Sequence, residues 1–271
     1  MLFASDLDRT LIYSKKFISQ KDERIRLVET KNSKEISYML KSSVEMLKEL
    51  STKLLFVPVT TRSIEQYQRL KILEKEIKPK YAIVCNGGNI FKEGKLDEEW
   101  KRLVHSKFDD TCLGLKEIRS EFNKLRLDIN IKKVRQVDNL FFYCVLHETN
   151  PGSILKELTE WAKKNKWTMV LNGRKLYFIP NHVTKNRAVR YIANKEEAKK
   201  IITSGDSLLD YCMANISDIF ISPSHGQINS LEDIDKTNVK FTKQSGIFAS
   251  DEILKLVLRE VKQNKVISHN L

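Results

Sequence analysis

Short apolar runs recur along the chain, and each stops abruptly at a polar residue. Leu2-Phe3-Ala4-Ser5 ends at Asp6, Leu54-Leu55-Phe56-Val57-Pro58-Val59 at Thr60, and Tyr81-Ala82-Ile83-Val84-Cys85 at Asn86. Later, Lys200-Ile201-Ile202-Thr203-Ser204 ends at Gly205-Asp206, and Ile219-Phe220-Ile221 at Ser222. Runs with so little polar alternation are the signature of strands covered on both faces, as in a parallel sheet. Pro58 in the second run must fall near the strand end or at a bulge. Between the runs the spacing turns helical. Ser43 is placed to cap a helix carrying Val44, Leu47 and Leu50, and Ser63 a helix through Leu73 with Ile64, Tyr67 and Leu70 on one face. A further helix follows Thr184, and a C-terminal one starts near Ser250 with Ile253, Leu254, Val257 and Val261 inward. Residues 24–30 and 34–39 alternate around Lys31-Asn32-Ser33, which predicts a hairpin. The fold class expected is therefore α/β, a doubly wound and mostly parallel sheet.

The pattern changes in the middle. Residues 88–177 read as mixed helices and alternating strands, with Leu140–Leu146 as one strand and a helix from Ser153 placing Ile154, Leu158, Trp161 and Ala162 on one stripe. Asn172-Gly173 between two alternating segments predicts a hairpin. We read this stretch as an inserted α+β domain, with residues 1–87 and 178–271 forming the core.

Composition narrows the class. The 271 residues are 41% hydrophobic with 12 Phe, 8 Tyr and 3 Trp, too apolar for a disordered chain. No apolar run reaches the ~18 residues of a membrane span, and Asp6 interrupts the first run before a secretory core length, so a cytoplasmic protein without a membrane partner is expected. Cys85, Cys112, Cys144 and Cys212 form no CxxC pair and read as fillers in a reducing compartment. The formal charge is +13, but residues 88–177 carry 18 basic and 13 acidic side chains, so the excess follows length rather than forming a tail or block. That distribution argues against a nucleic-acid partner and still favours small anionic substrates. The oligomeric state is open.

Acidic residues fall where the buried runs end: Asp6 and Asp8 after the first, Asp206 and Asp210 after a late one. In a doubly wound sheet the carboxyl ends of the strands share a crevice, so these four are expected to converge there with Thr60, Asn86 and Lys185. Gathered carboxylates need a cation, and hard oxygen donors favour Mg²⁺.

Taken together and in order, these segments resemble the motifs of the haloacid-dehalogenase-like phosphatases. Asp6-Leu7-Asp8-Arg9-Thr10-Leu11 is similar to the first motif, Val59-Thr60-Thr61-Arg62 to the second, Lys185-Asn186-Arg187-Ala188 to the third, and Gly205-Asp206-Ser207-Leu208-Leu209-Asp210 to the fourth. Asn86-Gly87-Gly88 resembles the loop leading to the cap in the Cof-type and sucrose-phosphate-phosphatase-like branch, where the cap lies between motifs two and three. The resemblance implies a Rossmann-like core with a cap. It implies Asp6 as nucleophile forming an aspartyl phosphate, Asp8 as acid then base, and Thr60 and Lys185 as catalytic contacts to the phosphoryl oxygens. Mg²⁺ would be held by Asp6, the Asp8 backbone carbonyl and Asp206. Asp210 would hold a metal-bound water or orient Lys185. Thr61, Arg62, Asn86 and Gly87 are the expected substrate contacts, with Arg174, Lys175, Asn181 and His182 as cap candidates. Arg9 and Thr61 stand where the family usually has Gly, and Leu209 where it often has Asn.

The function implied is a Mg²⁺-dependent phosphatase of a small phosphorylated metabolite, a sugar phosphate by family likeness. A phosphotransferase or mutase passing the phosphoryl group to a sugar is one alternative. A non-catalytic phospho-ligand-binding protein of the same fold is another, and retention of Asp6, Asp8, Lys185 and Asp206 argues against it.

Overall fold

The computed structural model describes residues 1–18, 22–125, 129–149, 152–232 and 234–269. Strand β1 (Leu2–Ser5) is buried at every residue. After the turn that carries Asp6 and Asp8, β2 (Tyr13–Ser14), β3 (Ile25–Lys31) and β4 (Lys34–Leu40) form a small antiparallel sheet in the order β2-β4-β3. Asn32 and Ser33 take φ of 49° and 60°, the paired left-handed conformation of a two-residue hairpin turn, so the hairpin read from the sequence is present. Helix α1 (Lys41–Ser51) starts two residues before its expected cap. Ser43 instead bonds Ser250 and Asp251 of the C-terminal helix, tying the two helices together.

Strand β5 (Leu55–Pro58) ends on its proline, where a missing N–H interrupts no ladder. Helix α2 (Ile64–Gln68) carries the reciprocal Ser63–Gln66 capping box but does not reach Leu73. Leu70 N–H turns back to the Tyr67 carbonyl and Leu73 N–H to Leu70, so three-residue turns end the helix as Leu70 enters the core. Strand β6 (Tyr81–Val84) meets the main sheet through a parallel Val59–Ile83 bridge. β7 (Asn89–Lys92) and β8 (Lys95–Leu96) then fold back antiparallel on it. Residues 89–92, just past the expected boundary at residue 88, thus pair with β6, and residues 95–96 pair in turn with β7. The hydrogen-bonding capacity of the β6 edge is what keeps this segment with the core.

Helices α3 (Glu98–Thr111) and α4 (Leu115–Lys124) lead into β9 (Ile131–Val137), β10 (Phe141–Leu146), α5 (Ile154–Lys164), β11 (Trp167–Asn172) and β12 (Lys175–Pro180). The strands form an antiparallel sheet, order β11-β12-β10-β9. Its pleat sorts the aromatics. Phe142 and Phe178, stacked at 4.9 Å, pack under Phe122 of α4 and Trp161 of α5, while the neighbouring pair Tyr143 and Tyr177 faces away from the helices.

The chain returns through α6 (Lys185–Lys195), β13 (Ile201–Ser204), α7 (Leu208–Tyr211), β14 (Ile219–Ser222), β15 (Val239–Phe241) and α8 (Phe248–His269). The main sheet is parallel throughout, order β15-β14-β13-β1-β5. Phe3, Phe56, Ile202 and Ile221 pack on one face with α1 and α8; Leu2, Ala4, Val57 and Phe220 pack on the other with α6. The sheet is therefore doubly wound, with β1 between β13 and β5 and the chain running outward from it in both directions, which opens a crevice at the carboxyl end of β1. No helix among the described residues is long and apolar enough to cross a membrane.

Candidate active site

Asp6 leaves the end of β1 with its N–H bonded to the Ser204 carbonyl at 2.9 Å, so the end of β13 fixes its backbone. Its carboxylate is held from two sides: Thr10 Oγ1 donates to Oδ2 at 3.0 Å and Lys185 Nζ to Oδ1 at 2.7 Å. Lys185 is buried to 1% exposure at the start of α6 and also donates to Asp210 Oδ1 at 2.5 Å. The other Asp210 oxygen accepts from Ser207 N–H and Oγ at 2.9 and 2.6 Å. Gly205 makes this approach possible, since a Cβ there would lie 2.2 Å from Asp210 Cβ.

Burial pushes the Asp6 carboxyl up to about 7; the Asp210 charge adds to this and Lys185 opposes it. Asp206, 3% exposed, is likewise raised well above the carboxylate range by burial, then by Asp210 and Asp6. Lys185 is raised: burial works against its charge, and the two carboxylates overcome that cost. Oxygens of Asp6, Asp206 and Asp210 all lie within 4.8 Å of one another. Asp206 Oδ2 is buried without a hydrogen-bond partner among the described residues, with the Arg9 Nε at 3.3 Å. An all-oxygen set with an orphaned buried carboxylate oxygen is the donor chemistry of a hard divalent cation, so the residues present fit Mg²⁺.

Asp8 differs. Its side chain is half exposed toward the cleft, and Arg62 grips both oxygens, Nε to Oδ2 at 2.7 Å and Nη2 to Oδ1 at 2.8 Å. Burial would raise this carboxyl, but the guanidinium outweighs it and holds the group below the usual range. Arg62 is itself anchored by Glu29 at 2.9 Å. Glu29 is fully buried and also accepts from Arg69 and Ser37. A β-bulge at residues 27–30 turns this carboxylate inward against the alternation of β3, which is why the pattern gave no sign of it.

Other expected residues take varied places. Thr60 is buried with Oγ1 accepting the Arg62 N–H at 3.1 Å, and Thr61 lines the cleft. Asn86 and Gly87 are not among the cleft-lining residues. Asn86 instead donates to the Val183 carbonyl at 3.0 Å, and Gly87 lets Thr184 come so close that a Cβ would sit 2.3 Å from its carbonyl oxygen. Together they position the start of α6 and hence Lys185. Arg9 takes φ 65°, which accounts for the family's usual glycine at this point, and its guanidinium lies beside Asp206. Thr10, Ser207 and Glu29 contribute to the site without having been singled out; the first two lie inside motifs, which was their only signal.

The cleft, about 440 Å³, is closed from above by the antiparallel sheet, which presents Tyr143, Tyr177, Asn172, Arg174 and Lys175. The hairpin that places the last two turns at Gly173-Arg174 rather than Asn172-Gly173, one residue later than expected, with Gly173 at φ 58°. The Arg24–Met39 hairpin adds Ile36 to the entrance, with Glu29 buried beneath it. Asn181 and His182 are not among the cleft-lining residues: Asn181 accepts from Thr168, and His182 packs edge-on to Phe108. Asp138, in the β9–β10 turn, accepts from Ile64 N–H at 2.7 Å and from the Cys85 thiol at 2.8 Å, joining the sheet above to the core. All four cysteines are free.

The sequence-family model described as sucrose-6F-phosphate phosphohydrolase matches residues 1–242. The chain belongs to this family. It is a phosphoric monoester hydrolase of the haloacid-dehalogenase type. No curated protein matches it in sequence. Among solved structures, the sucrose-phosphatase of Synechocystis sp. PCC6803, in complex with sucrose and phosphate, superposes with a TM-score of 0.68 at 15% identity, covering 96% of this chain and 97% of that one. A Thermoplasma acidophilum protein gives 0.63 at 17% identity, over 94% and 96%. A haloacid dehalogenase-like hydrolase from Bacillus subtilis gives 0.53 at 16%, over 96% and 91%. At such identities these structures speak for the shared fold, and membership of the phosphohydrolase family rests on the sequence model.

Proposed function

We propose that this hydrolase is a Mg²⁺-dependent sugar phosphatase working through an aspartyl phosphate on Asp6. The observation that carries the reading is the Asp6 carboxylate, buried between Lys185 and Thr10 at the floor of the cleft. Asp6, Asp206 and the Asp8 carbonyl would hold the ion, with Asp210 behind them. When bound, it supplies positive charge to the phosphoryl oxygens and keeps Asp6 ionised despite its burial.

Asp6 attacks phosphorus in line with the departing alkoxide: a carboxylate O–P bond forms and the ester P–O bond breaks. Lys185 offsets charge on the transferring oxygens, and Thr60 keeps its hydroxyl hydrogen free to donate, since its oxygen accepts from Arg62. Asp8 gives its proton to the alkoxide, then takes one from the water that hydrolyses the intermediate. Arg62 favours the ionised Asp8 that the second step needs, and protonation for the first step releases that grip. Tyr143 and Tyr177, 5.2 Å apart on the cap side, offer flat apolar surface to a sugar ring.

Purified protein supplied with Mg²⁺ is expected to release inorganic phosphate from hexose phosphates, and EDTA to stop it. Asp6→Asn should lower turnover by roughly a thousandfold or more with an unchanged circular dichroism spectrum. Metal-independent turnover, or an active Asp6→Asn protein, would overturn the mechanism. An isomeric phosphate ester in place of inorganic phosphate would point to a mutase.

A further inference from the structure

Seven basic side chains line the cleft against four acidic ones. Four of the basic groups have carboxylate partners: Lys185 with Asp6 and Asp210, Arg62 with Asp8 and Glu29, Arg69 with Glu29 and Glu65, and Arg9 with Asp206. Among the described residues, Lys16, Arg174 and Lys175 have no ion-pair partner. A phosphoryl dianion arriving with a divalent cation adds no net charge, so these three gain no contact ion pair when the leaving group is neutral, and Lys175 has only the more distant Asp8 charge.

Their placement is directional. Lys175 and Tyr177 are two residues apart on β12, opposite Val145 and Tyr143, so both point to the cleft face of the sheet. Lys175 Nζ lies 5.5 Å from the Tyr143 ring centre, and Arg174 is the adjoining turn residue. From the core side, Lys16 Nζ sits 4.6 Å above the Phe17 ring, which Arg9 shares at 5.2 Å. The outer half of the cleft is therefore cationic and aromatic, while every lining acid lies in the core.

We propose that the natural substrate carries a second anionic group on its leaving portion, a carboxylate or another phosphate, bound by Lys175 and Arg174 with Lys16 opposite. The proposal rests on the phosphatase reading of the inner half and names the substrate class for it. A neutral disaccharide phosphate leaves these cations without a partner; an acidic sugar phosphate gives them charge-assisted bonds.

Glucose 6-phosphate, 6-phosphogluconate and fructose 1,6-bisphosphate provide a neutral, a carboxylate and a bisphosphate arm. We expect kcat/KM to favour at least one anionic arm over glucose 6-phosphate by roughly 10- to 100-fold, the worth of one charged hydrogen bond. Which arm wins identifies the anion. Lys175→Gln combined with Arg174→Gln should erase most of that ratio. An equal or reversed ratio, or a double variant that slows neutral and anionic esters alike, would overturn the proposal. Absence of turnover on all three would count against the phosphatase reading instead. Calorimetric binding of the same esters to Mg²⁺-loaded Asp6→Asn then decides the anion site separately: preference for an anionic ester supports it, and equal affinity ends it.

Discussion

The floor and the roof of the cleft are built on opposite rules. On the floor, Asp6, Lys185, Asp206 and Asp210 are all at or below 5% exposure, and Lys185 is committed to two carboxylates at once. In the roof, Arg174 and Lys175 are exposed and form no ion pair among the described residues. Buried charges must be paired or they destabilise the fold, so the floor has little freedom to vary. Exposed turn residues carry no such constraint. The floor is thereby fixed by burial, whereas the exposed turn residues of the roof can change cheaply.

A change in the floor should damage every substrate equally. Gly205→Ala would drive a methyl group into Asp210, and displacement by about 1 Å at such a site costs on the order of 100-fold in rate. We expect that loss in kcat/KM across all esters, with their ratios preserved; an altered ratio would show that floor and roof are not separate. Arg62→Met tests the next layer. It leaves buried Glu29 with Arg69 as its remaining guanidinium and frees Asp8, so urea denaturation should show a loss of about 3 kcal/mol. The acid limb of the pH–rate profile should also move upward, because Asp8 loses the charge that lowers its carboxyl. Unchanged stability would show Glu29 to be satisfied without Arg62.

The smallest effect belongs to His182, outside both regions. Burial, then Arg187 and Lys107, lower its imidazole from 6.5 to about 4. The unfolded chain takes up that proton first as pH falls, so this contribution is complete above about pH 6.5 and declines toward pH 4. Melting curves should show a fall over this window that His182→Gln lessens by roughly 3 °C. A variant with an unaltered pH dependence would remove His182 as its source.

The floor was legible because strand ends carry its residues in order and burial makes the strands conspicuous. Asp6, Thr60 and Asp206 are visible as interruptions of apolar runs, and Lys185 as the start of a helix whose motif resemblance singles it out. The rest depended on facts that periodicity does not encode. Ser43 looks like a helix cap until β4 runs straight into α1 and leaves it free for Asp251. Residues 89–92 look like inserted chain until β6 supplies an edge for them to pair with. Which of Asn172, Gly173 and Arg174 makes the turn is a one-residue question of register, and it determines that Lys175 shares a face with Tyr177. Arg62 was read as a substrate contact, but without the bulge that inverts Glu29 its grip on Asp8 had no visible cause.

Only four residues run from the last strand of the roof to Lys185, and Asn86 and Gly87 clamp the latter two, Val183 and Thr184, against the core. That clamp anchors the point where the chain re-enters the core. The Lys185 ammonium is thereby set beside Asp6 by contacts made within the core, whatever the sheet above it carries.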